Sequence, residues 1–439
     1  MGSDISNKGA NFYLQVFLVT AAIIAVVGGY YYFEWKSAGE FASSIDHSDI
    51  LFEDFVRHFY PMGKDFSEAK VSVTGYYYSA LFTLFLKGFG ALSESAAMIA
   101  WVVLQVVTGV LLFLGGANYF LKKSQYHYYV YVLVFCISFP LLYNFRWGQV
   151  VVLVAACVFG AIYLYRKKQI VLAAIVLAAG GSIKLYTLIF LIYFLMKKEF
   201  RLVVYCVLIT GIFIWAIPTF TINFGENFGF YEFVSKNMRQ VRPLTANNSN
   251  LQDFSTVMMR LDKAYLHMSL PRWSFTVVSI VIIFVNMFFI WRIITMEFED
   301  EIYRAFVILF LTVPFLVPMS WPHYFVYLPF CQAAVMGAVW GQRNFVLFLI
   351  NAILLVVSLV FSSAVFFNLV GDWMVYSFGG YLFFSNFVLL PIVYSRGFSG
   401  NIERMPYSVF LDKIEETRGR FRKRQEEWRK IEEESIGEK

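Results

Sequence analysis

Apolar residues run along this chain in blocks of about twenty separated by short polar punctuation, and blocks of that length cross the hydrocarbon core of a bilayer as helices. They fall near 11–33, 95–121, 127–145, 149–165, 170–181, 183–196, 201–220, 273–295, 303–319, 322–340, 344–366 and 373–394. The pattern predicts an all-α, polytopic membrane protein with about twelve membrane segments. Two stretches break it. Residues 169–196 carry basic clusters at both ends, so the chain should enter and return, turning near Gly180-Gly181-Ser182. Each arm reaches only about 20 Å at 1.5 Å per residue, so the pair is expected to be re-entrant, with its turn covered by protein or water. Tyr76–Gly90 is aromatic and apolar but too short to cross, which suits an interfacial helix lying against the first loop.

Short basic loops set the orientation. Lys122-Lys123, Arg166-Lys167-Lys168, Lys197-Lys198 with Arg201, Arg292 and Arg343 mark one side as cytoplasmic. Both termini are then inside, and loops 34–75 and 220–272 lie outside, which in a bacterium means the periplasmic face of the inner membrane. The first apolar run, Phe12 to Phe33, has no basic leader or cleavage site before or after it and reads as a retained helix. Residues 1–395 form the membrane body. Residues 396–439 form a charged tail in which Phe410, Ile414, Phe421 and Trp428 share one helical face, suited to the anionic inner leaflet or a partner helix.

Composition agrees, with 59% hydrophobic residues, 20% aromatic and a mean hydropathy of +0.62, too apolar for a soluble domain. The net charge of +6 sits at span ends and in the tail, so nucleic acid is not an expected partner, whereas membrane lipids are. The four cysteines lie in apolar runs, and no Cys/His metal spacing or phosphate-cradling glycine loop appears, so no metal or cofactor is expected.

The chemistry is concentrated on the expected exterior. Loop 34–75 holds eight carboxylates, Asp54 among them, in Phe52-Glu53-Asp54-Phe55 with Arg57 and His58 one turn on and Tyr60-Pro61 beyond. A reaction outside the cell cannot draw on cytosolic nucleotide sugars, so an activated group must arrive on a lipid. Such a site needs a carboxylate base, donors for a phosphate and an apolar groove. Asp54 is the candidate base. Lys184, at membrane depth, is a functional candidate by its cost, with snorkelling or a structural ion pair as the alternative. Arg146, Trp147 and Gln149 form one polar knot between spans and Trp321 and His323 another; an aromatic belt and a helix cap are the bland readings. Asn250 and Gln252 lie in an amide-rich stretch of the kind that contacts carbohydrate, or of loops in general.

Taken in order, Asp54-Phe55, Tyr60, Tyr76-Tyr77-Tyr78-Ser79-Ala80-Leu81-Phe82, Trp101, Gly148-Gln149-Val150, Gly180-Gly181-Ser182-Ile183-Lys184-Leu185, Asn250-Leu251-Gln252 and Ser320-Trp321-Pro322-His323 resemble glycosyltransferase family 87, also described as a DUF2029 family. The resemblance runs from about residue 50 to 340. It departs from the family pattern at Ser79, Tyr186 and Pro322, where prolines and an acidic residue are usual. It implies a GT-C fold similar to that of the polyprenol-phosphate-mannose-dependent mannosyltransferases, with Asp54 as base. Gln149, Lys184 and His323 also fall on motif positions.

The expected function is therefore inverting transfer of a sugar, a hexose and preferably mannose, from a polyprenyl-phosphate donor to a lipid or glycan acceptor. Asp54 is catalytic. Lys184, His323 and Arg146 bind the donor phosphate, and Gln149, Tyr60, Tyr77, Asn250, Gln252 and Trp321 contact substrate. The rival expectation is a transporter or lipid flippase with a midplane site around Lys184. Another GT-C enzyme, moving a pentose or a phospholipid head group, would keep the same architecture.

Overall fold

With no water in the bilayer core, each backbone N–H and C=O must find its partner within the chain, and apolar segments do so as helices. In the computed structural model, which describes residues 2–46, 48–64, 78–222, 224–245, 250–268, 270–342, 344–395 and 398, helices make up the architecture. Five helical stretches are long and apolar enough to cross a membrane, Leu14–Glu34, Glu94–Lys123, Phe200–Thr221, Arg272–Thr295 and Trp373–Tyr394, the last of them made of short helices in series. Ala80–Gly90, Val151–Arg166, Ile170–Ile183, Leu185–Met196 and Phe345–Phe361 are shorter apolar helices. The protein is a polytopic integral membrane protein.

The chain begins with α1 (Gly2–Glu34) and α2 (Ala38–Asp46). A π-helical turn, Phe55–Phe59, then runs into α3 (Tyr60–Lys64). The expected interfacial element is α4 (Ala80–Gly90), whose N-terminus is capped by Ser79. It crosses α3 so closely that a Cβ on Gly63 would strike the Leu86 carbonyl and one on Gly90 would strike the Gly63 backbone. The following helices are α5 (Glu94–Lys123), α6 (Gln125–Cys136), α7 (Phe139–Trp147) and α8 (Val151–Arg166).

The short hairpin is α9 (Ile170–Ile183), an extended Lys184, a 3₁₀ segment over Leu185–Phe190 and α10 (Leu191–Met196). Its arms match: fourteen α residues rise about 21 Å, and six 3₁₀ plus six α residues rise about 21 Å. A Cβ on Gly181 would lie 2.6 Å from Leu188 Cδ2, so glycine is what lets the arms close on each other at the top.

Onward run α11 (Phe200–Gly211), α12 (Ile217–Ile222), α13 (Phe224–Thr245), α14 (Phe254–Leu261), α15 (Arg272–Thr295) and α16 (Glu301–Leu316). The chain closes with α17 (Leu328–Trp340), α18 (Phe345–Phe361), α19 (Ala364–Val370), α20 (Trp373–Phe378), α21 (Tyr381–Phe387) and α22 (Leu390–Tyr394).

Several expected spans are not continuous α-helices; 183–196 and 322–340 each begin with a 3₁₀ segment, and three others are divided. Residues 127–145 divide at Ile137-Ser138 and 344–366 at Ser362-Ser363, and the two breaks pair with each other. Phe139 N–H donates to Ser362 O at 2.8 Å and Ala364 N–H to Ile137 O at 2.8 Å, an isolated antiparallel bridge. Helix breaks inside an apolar body survive because each supplies what the other lacks. Residues 373–394 pass as three short helices, with Gly380 at φ +69° between the first two. The tail's helical face lies outside the described residues.

Helix ends gather by charge. At the basic end Asp300 accepts from Lys123 (2.7 Å), Arg304 (2.6 Å) and Tyr119 (2.8 Å), Lys197 pairs with Glu301 at 2.5 Å, and Tyr165 donates to Glu199 at 2.7 Å. The N-termini of α5 and α8 lie at the opposite end. Burial alone would raise the Asp300 carboxyl, but Lys123 and Arg304 overcome it and hold the group down at about 2. Since the folded carboxyl titrates below the unfolded one, this stabilisation is complete above about pH 4 and is lost as pH falls toward about 2. Asp300→Asn should therefore cost roughly 2 kcal/mol at neutral pH, read as a lower melting temperature in detergent; an unchanged melt at pH 7 would contradict this.

Candidate active site

Polar groups buried under the first loop fix its path. The Arg146 side chain is fully buried, and its guanidinium donates from Nε to Ala42 O (3.2 Å), from Nη1 to Ile50 O (3.1 Å) and Glu53 Oε2 (3.0 Å), and from Nη2 to Ser48 O (3.1 Å). Its flat face lies 4.5 Å from the Trp147 ring. Glu53 is shared with Arg57 at 3.0 Å. Next to it Phe52 adopts φ +57°, a conformation that bulky residues avoid, with its N–H on Arg146 O at 2.8 Å and its ring edge against Phe145. Asp54 follows directly and leads into the π-helical turn, where Phe55 stacks on Trp101 at 4.5 Å.

The second wall is the connection from α7 to α8. Gly148, at φ +65°, ends α7 in the left-handed conformation, and a Cβ there would crowd Phe52 and Trp101 Nε1, each at 3.0 Å. Trp101 Nε1 donates to Gly148 O (3.0 Å), Gln105 Nε2 to Gln149 O (2.8 Å), and Asn144 Nδ2 to Gln149 O and Gln105 Oε1 (3.0 Å each). With its backbone held in this way, Gln149 extends its amide to the site. Nε2 donates to Asp54 Oδ2, and Oε1 accepts from Tyr78 Oη at 2.7 Å.

Lys184 enters from the top of the hairpin. Its Nζ is 3.1 Å from Tyr324 Oη, 4.2 Å from the centre of that ring and 5.0 Å from the Tyr78 ring. Its charge acts on both Asp54 and His323. His323 stands on a 3₁₀ turn, Pro322–Phe325, its ring against Tyr143 at 6.1 Å and its buried Nδ1 without a hydrogen-bond partner among the described residues. His58 Nε2 lies 3.8 Å from Asp54 Oδ1. Desolvation dominates at Asp54; Glu53 adds to it, the Gln149 hydrogen bond, Lys184 and Arg146 oppose it, and the carboxyl is pushed up to about 7. Access is kept, with 19% of the Asp54 side chain exposed. A carboxylate that titrates near neutrality beside a cation can accept a proton while the cation meets an anion.

Four separated stretches thus meet: Asp54, Gln149, Lys184 and His323. Other expected contacts lie elsewhere. Arg146 spends its donors on the loop and Glu53 rather than facing a phosphate. Tyr60 donates to Leu92 O at 3.0 Å and packs against Phe55. Gln252 is buried, with Nε2 on Ser377 O at 2.8 Å and its N–H on Ser320 O at 2.7 Å, which ties α14 to α20. Asn250 beside it and Trp321 beside His323 are partly exposed. Tyr77 lies outside the described residues. Sequence reasoning passed over Tyr78 and Tyr324 as site residues; each stood in a quoted motif or next to one, but nothing in spacing separates one tyrosine of a triplet from its neighbours.

The family model described as Glycosyltransferase family 87 matches residues 76–320. The chain belongs to glycosyltransferase family 87. Membership suggests a glycosyltransferase enzyme, with a sugar donor and an acceptor as its substrates. The match takes in Tyr78, Gln149 and Lys184 and leaves Asp54 and His323 on either side. No curated protein and no solved structure matches the chain.

Removing one partner of a buried, hydrogen-bonded ion pair typically costs about 3–5 kcal/mol, because the other charge is left uncompensated. Arg146→Met is expected to lose stability on that scale by thermal unfolding; a variant melting with the native protein would show that the loop holds without its guanidinium.

Proposed function

We propose that this family 87 member is an inverting glycosyltransferase of GT-C type that moves a hexose, preferably mannose, from a polyprenyl-phosphate donor to an acceptor hydroxyl. The observation that carries the reading is the chain of contacts from Asp54 through Gln149 to Tyr78, with the Lys184 ammonium over the Tyr78 ring and its charge reaching Asp54 and His323.

Asp54 takes the acceptor proton while the acceptor oxygen forms its bond to the anomeric carbon. The bond from that carbon to the phosphate oxygen breaks, its electron pair leaves with the phosphate, and one displacement inverts the centre. Lys184 meets the charge that develops on the leaving group, and His323 supplies a second polar contact. Arg146 is a positioning residue in this reading: it fixes the loop on which Asp54 stands. The basic clusters at Lys123, Arg166 and Lys197 support a cytoplasmic placement of that end, with the Asp54 end outside, facing the periplasm of a bacterial inner membrane. A lipid-borne donor fits that placement, since the activated sugar need not cross as a free nucleotide.

Loss of a general base typically costs about 10²- to 10⁴-fold in rate and loss of an anion-stabilising donor about 10²- to 10³-fold. Asp54→Asn is expected to remain folded and to drop by the first factor, and Lys184→Met by the second, in an assay of membranes with polyprenyl-phosphate sugars. Wild-type turnover by Asp54→Asn would remove Asp54 from the mechanism. The base must be ionised, so kcat should climb about tenfold per pH unit below about 7. A profile that is flat from pH 5 to 8 would place the proton acceptor elsewhere.

A further inference from the structure

Gln149 has one freedom left. Its N–H donates to Asn144 O (2.9 Å), and its carbonyl accepts from Gln105 Nε2 (2.8 Å) and Asn144 Nδ2 (3.0 Å), so the main chain is fixed and only the terminal amide can turn over. Turning it exchanges a donor for an acceptor at each end. Asp54 Oδ2 stands at one end and Tyr78 Oη at the other. An ionised carboxylate can only accept, so Nε2 must face it, and Oε1 then needs a donor of its own. The Tyr78 hydroxyl is that donor, at 2.7 Å.

The phenol is held where it can act in this way. Tyr78 is buried, its ring edge-on to Phe59 at 5.1 Å and against Phe82 at 5.0 Å, and it directly precedes Ser79, whose side chain caps α4. The two hydrogen bonds run in one direction: hydroxyl to amide oxygen, then amide nitrogen to carboxylate. Bonds in series polarise each other, here in favour of negative charge on Asp54. Without the hydroxyl, Oε1 would be buried with no donor, and a reversed amide would set its oxygen against an Asp54 oxygen, which requires a proton between them. Asp54 Oδ1 is the oxygen left over, since His58 Nε2 at 3.8 Å is too far for a hydrogen bond.

Resting on the transferase reading above, we propose that Tyr78 is a positioning residue: its hydroxyl locks the Gln149 amide with the nitrogen toward Asp54 Oδ2, which keeps Oδ1 as the oxygen that takes the acceptor proton. Gln149 then serves the base instead of contacting the substrate.

Tyr78→Phe removes one oxygen and keeps the ring that Lys184 approaches. The other charged or titratable groups around the Asp54 carboxyl, Glu53, Arg146, Lys184 and His58, are left in place. In full-length protein in detergent, the infrared band of the protonated Asp54 carboxyl, identified by its loss in Asp54→Asn, follows its titration with no substrate present. Tyr78→Phe is expected to carry that titration to higher pH by roughly half to one unit, the scale of one hydrogen bond. The rising limb of kcat, which needs the ionised base, should move up equally, so that at a fixed pH on that limb the rate falls about three- to tenfold. A loss of packing alone would lower kcat without moving the limb. Because Tyr78 acts through the amide, Tyr78→Phe should add nothing in a Gln149→Met background, with each variant checked by thermal melting. An unmoved infrared titration in Tyr78→Phe, or the full shift in the Gln149→Met background, would overturn the proposal. The infrared measurement involves no turnover, so its failure and that of the Asp54→Asn assay remain separate findings.

Discussion

The site depends on one guanidinium buried with no exposed surface. Charge buried without partners is prohibitive, and Arg146 answers by collecting three backbone carbonyls and the Glu53 carboxylate. Those carbonyls come from within α2 (Ala42) and from the stretch that leads from it to Phe52 (Ser48 and Ile50), so satisfying the cation folds that stretch back against α2. Phe52 then has little conformational choice, and the next carboxylate is delivered to Gln149. Acidic residues adjacent in sequence thus do different work: Glu53 is neutralised and structural, whereas Asp54 is left with a neutral amide on one oxygen.

Burial raises the carboxyls of Asp54 and Asp300 alike, yet their net shifts are opposite, and the difference lies in how close the cations come. Asp300 has Lys123 and Arg304 in direct contact and stays ionised far into acid. Asp54 has its cations at a remove and a hydrogen bond from a side-chain amide, so desolvation wins and its carboxyl titrates near neutrality. The former ties helices together at the basic end. The latter is poised to exchange a proton.

Much of this was legible in sequence because it rests on local rules. The membrane class follows from apolar run length and the hairpin over 169–196 from arms too short to cross, while the family motifs already named Asp54, Gln149, Lys184 and His323. What could not be read depends on contacts between distant segments. Arg146 looked like a phosphate ligand because its type and outer position allow that, and only the carbonyls of Ala42, Ser48 and Ile50 reveal another employment. The breaks at Ser138 and Ser363 sit in runs that read as continuous helix, and each exists because the other is there to bond with. Tyr78 emerged from a triplet on geometry alone.

The hairpin carries a consequence of its own. Both arms start from the basic end and rise by the same distance, so the lysine at the summit is a fixed height above the protein's basic rim. Its depth is measured from that end. Bilayers of different thickness would shift the opposite water boundary past this ammonium while leaving its separation from the loop carboxylate unchanged, so the two groups keep their spacing whatever the surrounding lipid.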